Sequence, residues 1–308
     1  MIQQIPIGSR TRLAGTRLAL IGLLGLAPAW ATAQSGAPVA GVITTSPDIT
    51  IDLGSGLVAA DHDAVVDDQL GLAVLEDLGV IPLEADVIAL GLEPNGDRLF
   101  AVDITTELPG GVVVRPGDVV QTDGSGYAIA FDGEAAGLPR GVAVDAASLS
   151  ATGSDLLLSF DGTVDLGGGL VAADEDVVVW DGGVFSAKAF DGAAAGLDPA
   201  LDVDAAHDPG DGTLLLSFDT GGMIGGVAFR DEDVLRFDGS GWSLAFEGLA
   251  ASTAWGPADL DALAVPVPEP GSIATLAIGV LALMGGARIR HRSPRSIRAA
   301  IIAQGHAV

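Results

Sequence analysis

The chain has 308 residues, of which 49% are apolar but only 5% aromatic, so one or two domains must build their cores from Val, Leu, Ile and Ala. Cysteine is absent, which excludes a disulfide scaffold, thiol catalysis and cysteine-ligated metal. All 41 acidic residues lie between Gln34 and Pro270 beside only six basic ones, a net −35 that excludes nucleic-acid binding through phosphate neutralisation.

In chain order, the first element is a basic stretch, Arg10, Arg12 and Arg17, followed by an apolar run from Leu18 to Trp30. The small-x-small site Ala31-Thr32-Ala33 comes next. These are the three regions of a secretory signal peptide, so residues 1–33 are expected to be removed after Sec-type export, between Ala33 and Gln34.

Residues 34–265 form an acidic repeat. Leu156-Leu157-Leu158-Ser159-Phe160-Asp161 recurs 58 residues later as Leu214-Leu215-Leu216-Ser217-Phe218-Asp219, and Arg98–Asp103 is a degenerate earlier copy. Asp174-Glu175-Asp176-Val177 recurs as Asp231-Glu232-Asp233-Val234. Phe131-Asp132-Gly133, Phe190-Asp191-Gly192 and Phe246-Glu247-Gly248 make a third ladder. Val144-Asp145-Ala146, Val203-Asp204-Ala205 and Leu260-Asp261-Ala262 make a fourth.

Each unit therefore holds four short segments, typified by 201–205, 213–219, 233–238 and 242–246, with Gly-containing turns between them. Four-stranded units of this length are the signature of propeller blades. The chain enters near Ile49–Leu53, read as the second segment of a unit, and leaves at Asp259–Val265, read as the first. Three N-terminal strands and one C-terminal strand would then complete a fourth sheet and remove its exposed edges. The expected fold is all-β, a four-bladed β-propeller closed by its two ends; a β-sandwich or a β-solenoid is the alternative. The layout is similar to that of hemopexin-type four-bladed propellers.

Asp-x-Asp pairs are the recurrent polar feature. On a regular strand, residues i and i+2 share a face. Asp202 with Asp204 and Asp259 with Asp261, joined by Asp86 and Asp145, would gather carboxylates near the ring axis if the first strand of each unit is innermost. Oxygen-only sites of this kind suit calcium, with a solvated acidic surface as the alternative. A second set, Asp61, Asp63, Asp174, Asp176, Asp231 and Asp233, sits at loop-to-strand junctions, where Asp side chains also cap turns.

No catalytic constellation stands out. The run Gly167-Gly168-Gly169 lacks the Lys-Ser and helix of a phosphate loop and reads as a tight turn. His207, beside Asp208 and Pro209, reads as a turn residue, and Trp180 and Trp242 read as aromatics packed between blades.

After the repeat comes a Pro-rich linker, residues 266–272, containing Val267-Pro268-Glu269-Pro270. An apolar run, Ile273–Ala287, follows, long enough for a short transmembrane helix, and then Arg288, Arg290 and Arg292 open a basic tail over 288–308. An extended site, a short hydrophobic stretch and a basic stop have the logic of a tail made to be cut. These residues resemble the PEP-CTERM sorting signal of Gram-negative bacteria. The resemblance implies an exosortase as processing partner, a membrane stage held by the C-terminal helix, and association with exopolysaccharide. The expectation is an exported, non-enzymatic protein of the cell surface or extracellular matrix (biofilm). The alternative is an extracellular carbohydrate-binding or carbohydrate-cleaving propeller.

Overall fold

The computed structural model describes residues 41–266. The expected signal peptide, the sorting motif at Val267–Pro270, the apolar run after it and the basic cluster lie outside the described residues. Among the described residues no helix is long and apolar enough to cross a membrane.

The architecture is a four-bladed β-propeller. The chain opens with β1 (Ile43–Pro47), a hairpin of β2 (Ile51–Gly54) and β3 (Leu57–Ala59), then β4 (Ala64–Asp67) and β5 (Ala73–Glu76). The second blade holds β6 (Val87–Leu92), β7 (Arg98–Val102), the hairpin β8 (Thr106–Leu108) and β9 (Val112–Val114), then β10 (Val119–Thr122) and β11 (Tyr127–Phe131). The third holds β12 (Val144–Leu149), β13 (Leu156–Phe160), β14 (Val164–Asp165), β15 (Val171–Ala172), β16 (Val177–Trp180) and β17 (Phe185–Phe190). The fourth holds β18 (Ala205–His207), β19 (Leu214–Ser217), β20 (Gly222–Ile224), β21 (Val227–Phe229), β22 (Asp233–Phe237) and β23 (Trp242–Glu247). The last strand, β24 (Leu260–Ala264), returns to pair antiparallel with β1 and completes the first sheet in the order β24-β1-β4-β5.

Two expectations are corrected here. The second strand of the first blade is Ile43–Pro47; residues 51–53 belong instead to the hairpin β2–β3. Thr45-Ser46-Pro47-Asp48 is thus the worn copy of Leu158-Ser159-Phe160-Asp161, and Ser46 and Ser159 each donate their hydroxyl to the carbonyl at the start of the next core strand, at 2.7 and 2.8 Å. Pro47 is tolerated because the pairing of β1 with β24 is irregular between Ser46 and Pro47. In the fourth blade the innermost strand is Ala205–His207 rather than 201–205, so Asp202 and Asp204 precede it. Every blade also carries a small hairpin between its second and third core strands, which the four-segment repeat did not include.

The first strands are innermost: β6 and β18 each pack against both β12 and β24. Four strands crowd one axis because their inward positions are small. Ala89, Ala146, Ala147, Ala205, Ala206 and Ala262 are all buried, and a Cβ on Gly91 would stand 2.8 Å from the carbonyl oxygen of Ala147.

The blades are joined by a repeated plug. Short helices α1 (Gly133–Ala136), α2 (Gly192–Ala195) and α3 (Gly248–Ala251) follow three of the outer strands. Their first residues are Gly because a Cβ would fall 2.2–2.5 Å from the backbone oxygen of Gly117, Glu175 or Glu232. Beyond each outer strand one large apolar side chain shares a core cluster with the next blade's hairpin. Leu78 does so with Leu108 and Val114, Leu138 with Val164 and Ala172, and Leu197 with Ile224 and Phe229. At the seam where the ring closes, Trp255 does the same with Ile51 and Ala59 and is 1% exposed.

Candidate metal centre at the propeller axis

The innermost strands bring acidic side chains to one end of the axis, and two of these, Asp145 and Asp261, sit at β-bulges. Between β12 and β13 the register passes from Val144–Phe160 to Ala146–Ser159, leaving Asp145 as the extra residue. Between β24 and β1 it passes from Leu260–Pro47 to Ala262–Ser46, leaving Asp261. In β6 the same place is held by Ile88. A bulge breaks alternation and re-aims a side chain. The same-face spacing expected for Asp202 with Asp204 and for Asp259 with Asp261 is therefore not the reason these groups meet.

They meet across blades. Carboxylate oxygens of Asp204, Asp259 and Asp261 all lie within 4.8 Å of one another, and Asp86, Asp145 and Asp202 stand close enough to repel them. Burial pushes Asp204 up to about 10, with Asp259 and Asp261 adding repulsion. Burial, then Asp261, pushes Asp86 to about 8; burial, then Asp202, pushes Asp145 to about 8. Asp259 reaches about 8 through burial, partly offset by the N–H of Leu260. Asp202 and Asp261 reach about 7, through burial and then repulsion from Asp174 and Asp48 respectively.

One oxygen on each of Asp86, Asp145, Asp202 and Asp204 is buried and accepts no hydrogen bond. Among the described residues, no Arg or Lys ion pair includes any of the six: Arg98 pairs with Glu76, Arg236 with Asp211 and Lys188 with Asp176. An unpaired buried charge is costly unless it takes up a proton or a cation. Chemically, this set offers hard, anionic oxygen ligands to a divalent ion.

The second acidic set is built differently. Asp63, Asp176 and Asp233 each accept from the N–H three residues earlier, at 2.8–2.9 Å, closing the turn before the third core strand. Asp176 and Asp233 also accept from Gly192 and Gly248, both at 3.0 Å. Asp118 is the same device in the second blade. These side chains cap turns. Asp61, Asp174 and Asp231 instead add to the field at the axial mouth.

Three other residues singled out in the sequence are placed as follows. His207 is not in a turn: it lies in β18, 3% exposed, with Nδ1 3.3 Å from the Ser148 hydroxyl. Burial holds its imidazole down at about 4. Asp208 makes the turn, accepting from Gly210 at 2.8 Å. Trp180 packs edge-to-face on Phe131 of the preceding blade, and Trp242 on Phe190, so both serve the blade seams.

No family model and no curated protein matches the chain. Among solved structures it is similar to YCF48 bound to D1 peptide, at 8% identity and a TM-score of 0.31, over 65% of this chain and 53% of that one. It is also similar to virginiamycin B lyase from Staphylococcus aureus, at 11% identity and a TM-score of 0.30, over 68% of this chain and 70% of that one. YCF48 from Cyanidioschyzon merolae gives 9% and 0.27, over 67% and 60%. The chain spans about half the length of the first structures it matches. At such values the neighbours carry no argument about activity, and the four-bladed fold rests on the strand pairings themselves.

Proposed function

We propose that this chain is an exported, non-enzymatic protein of the cell surface or extracellular matrix, delivered by a PEP-CTERM-type tail, with calcium bound at its axial mouth. The observation that carries the cation is the cross-blade convergence of Asp204, Asp259 and Asp261 beside buried carboxylate oxygens that accept no hydrogen bond. Calcium suits it because it takes six to eight oxygens in flexible geometry, whereas magnesium demands a near-ideal octahedron. A ligand that binds only the folded state stabilises it by about 2.7 kcal/mol at a hundredfold excess over Kd. Thermal melts in millimolar calcium or magnesium at equal ionic strength test this. Calcium is expected to raise the Tm by several degrees more, and equal effects would leave generic charge screening.

The delivery reading is supported by the place of Val267-Pro268-Glu269-Pro270 in the chain. Only Val265 and Pro266 separate the closing strand β24 from it, so cutting there would leave the propeller whole. Intact-mass analysis of protein from the producing cells tests it. The expected species begins near Gln34 and lacks Ile273–Ala287. Recovery of that apolar segment in the mature protein would leave a simple membrane anchor instead.

A further inference from the structure

The chain enters and leaves the propeller at the end opposite the acidic mouth. β24 starts at the mouth, beside Asp259, and ends at Ala264, which pairs with Thr44 near the start of β1. Asp67, at the end of β4, pairs with Ile43 on the other side of β1. The turn between β4 and β5 therefore projects from the end where Gly41 and Pro266 lie, and the Gln69 side-chain amide donates to the Gly41 carbonyl at 3.0 Å.

This turn differs from its counterparts in one respect. All four blades hold the turn between third and fourth strands in the same way, with an Asp accepting backbone N–H bonds. Asp68 accepts from Leu70 and Leu72, Asp123 from Ser125 and Gly126, Asp181 from Gly183 and Val184, and Asp238 from Ser240 and Gly241. Two of the other turns present only Gly and Ser beyond the Asp, and one presents a single Val. The first blade presents Leu70 and Leu72, 91% and 61% exposed, on a turn whose own carboxylate is occupied by backbone donors. An exposed leucine pair on a braced turn is an apolar contact in search of a partner.

We infer that Leu70 and Leu72 enter the lipid surface while the chain is held by its tail, so that the propeller stands with its acidic mouth away from the membrane. This rests on the tail reading proposed above. The reach of the tether supports it. Val267–Ser272 are six residues between the last described residue and the apolar run, spanning ~20 Å at most when extended. The four- and five-residue core strands of the first blade are themselves ~13–17 Å long before their loops are added. A tether leaving from Pro266 reaches a bilayer below the turn end directly, and has no length to spare to pass the blade and present the mouth.

The absence of cysteine makes the test direct, because Leu70→Cys carries a single polarity-sensitive probe. The tail-bearing chain, purified from bacterial membranes, is placed in vesicles of phosphatidylethanolamine and phosphatidylglycerol in equal parts, with or without acyl-chain quenchers. Ala135→Cys, on α1 at the mouth end, is the reference. The probe at position 70 is expected to lose most of its emission to the lipid quencher and resist aqueous iodide, and Leu72→Ser is expected to reverse part of both effects. The probe at 135 should respond only to iodide. Equal iodide quenching at both positions on vesicle-bound protein would overturn the inference. So would protection from iodide without lipid quenching, which would mean that a second copy covers the turn. Failure to float with the vesicles would overturn the tail reading, and the orientation with it.

Discussion

The backbone N–H of Asp259 donates to the carboxylate of Asp48 at 2.7 Å across 211 residues of chain, and the N–H of Asp48 returns a bond to the Asp259 carbonyl at 3.2 Å. Each continuous blade contains the same reciprocal pair: Asp86 with Asp103, Ala143 with Asp161, and Asp202 with Asp219, at 2.7, 2.9 and 3.0 Å for the side-chain bond. In those blades the partners are 17 or 18 residues apart. The ring is thus closed by the bond that builds every blade, made once between the two ends of the fold.

Asp48→Ala is expected to cost about 1.5–3 kcal/mol, the worth of a hydrogen bond to a charged acceptor. It should also promote association, because fraying of β24 from β1 frees two sheet edges. Denaturant melts with light scattering check this against Asp161→Ala, which removes the same bond where the chain is continuous. A similar loss of stability is expected in both, with added scattering only in Asp48→Ala.

Trp255→Ala removes the largest fully buried side chain, at the closing seam. Truncation of a buried Trp costs about 3–5 kcal/mol. Leu197→Ala, at the corresponding place between the third and fourth blades, is expected to cost about 2–5 kcal/mol by the same mechanism. Urea unfolding of both variants measures this; an unchanged midpoint for Trp255→Ala would mean that the seam plug contributes nothing.

The axial aspartates predict an unusual pH dependence without calcium. Their folded pKa values, from about 7 to about 10, lie above the ordinary carboxylate range. The folded state therefore holds more protons than the unfolded chain, and stability falls as pH rises through those values. The decline begins above the unfolded carboxylate value, about 4, and levels off once the folded values are passed, so a calcium-free Tm that falls from about pH 5 to about pH 9 is expected. Saturating calcium should flatten the decline, because the ion takes the place of the protons. Asp204→Asn with Asp261→Asn should reduce both the decline and the advantage of calcium over magnesium. A calcium-free Tm that rises over this range would contradict the shifts.

His207 acts with the opposite sign. Its folded pKa, about 4, is below its ordinary value, so its contribution is intact above about 6.5 and is lost as pH falls towards about 4. The shift corresponds to about 3 kcal/mol at full protonation. His207→Met keeps the bulk without the charge. It is expected to lose less stability than the wild type between pH 7 and pH 4.5, as measured by urea midpoints. An equal loss would place the acid-sensitive group elsewhere.

The period, the number of blades and the closure by the chain ends were legible in the sequence, because repeated strands leave ladders such as Leu-Ser-Phe-Asp and Phe-Asp-Gly. Their phase shows which strand is missing from the first unit. The strand Ile43–Pro47 was missed because Thr45-Ser46-Pro47 keeps only the Ser and the following Asp of its ladder. The hairpins inside each blade were missed because strands of two to four residues are too short to show alternation.

The sequence reading gathers the axial aspartates by alternation along a strand, a reason that the structure replaces. Alternation is a local rule, and the bulges at Asp145 and Asp261 suspend it. What brings Asp204 to Asp259 and Asp261 is the packing of innermost strands from adjacent blades, a contact between residues with no local relation. The same holds for His207 and Trp255. A histidine before Asp-Pro-Gly reads as a turn residue, and no ladder marks Trp255, until the neighbouring blade closes over them. Local pattern sets the strands and their count; burial at an axis or a seam depends on the partners that the folded ring supplies.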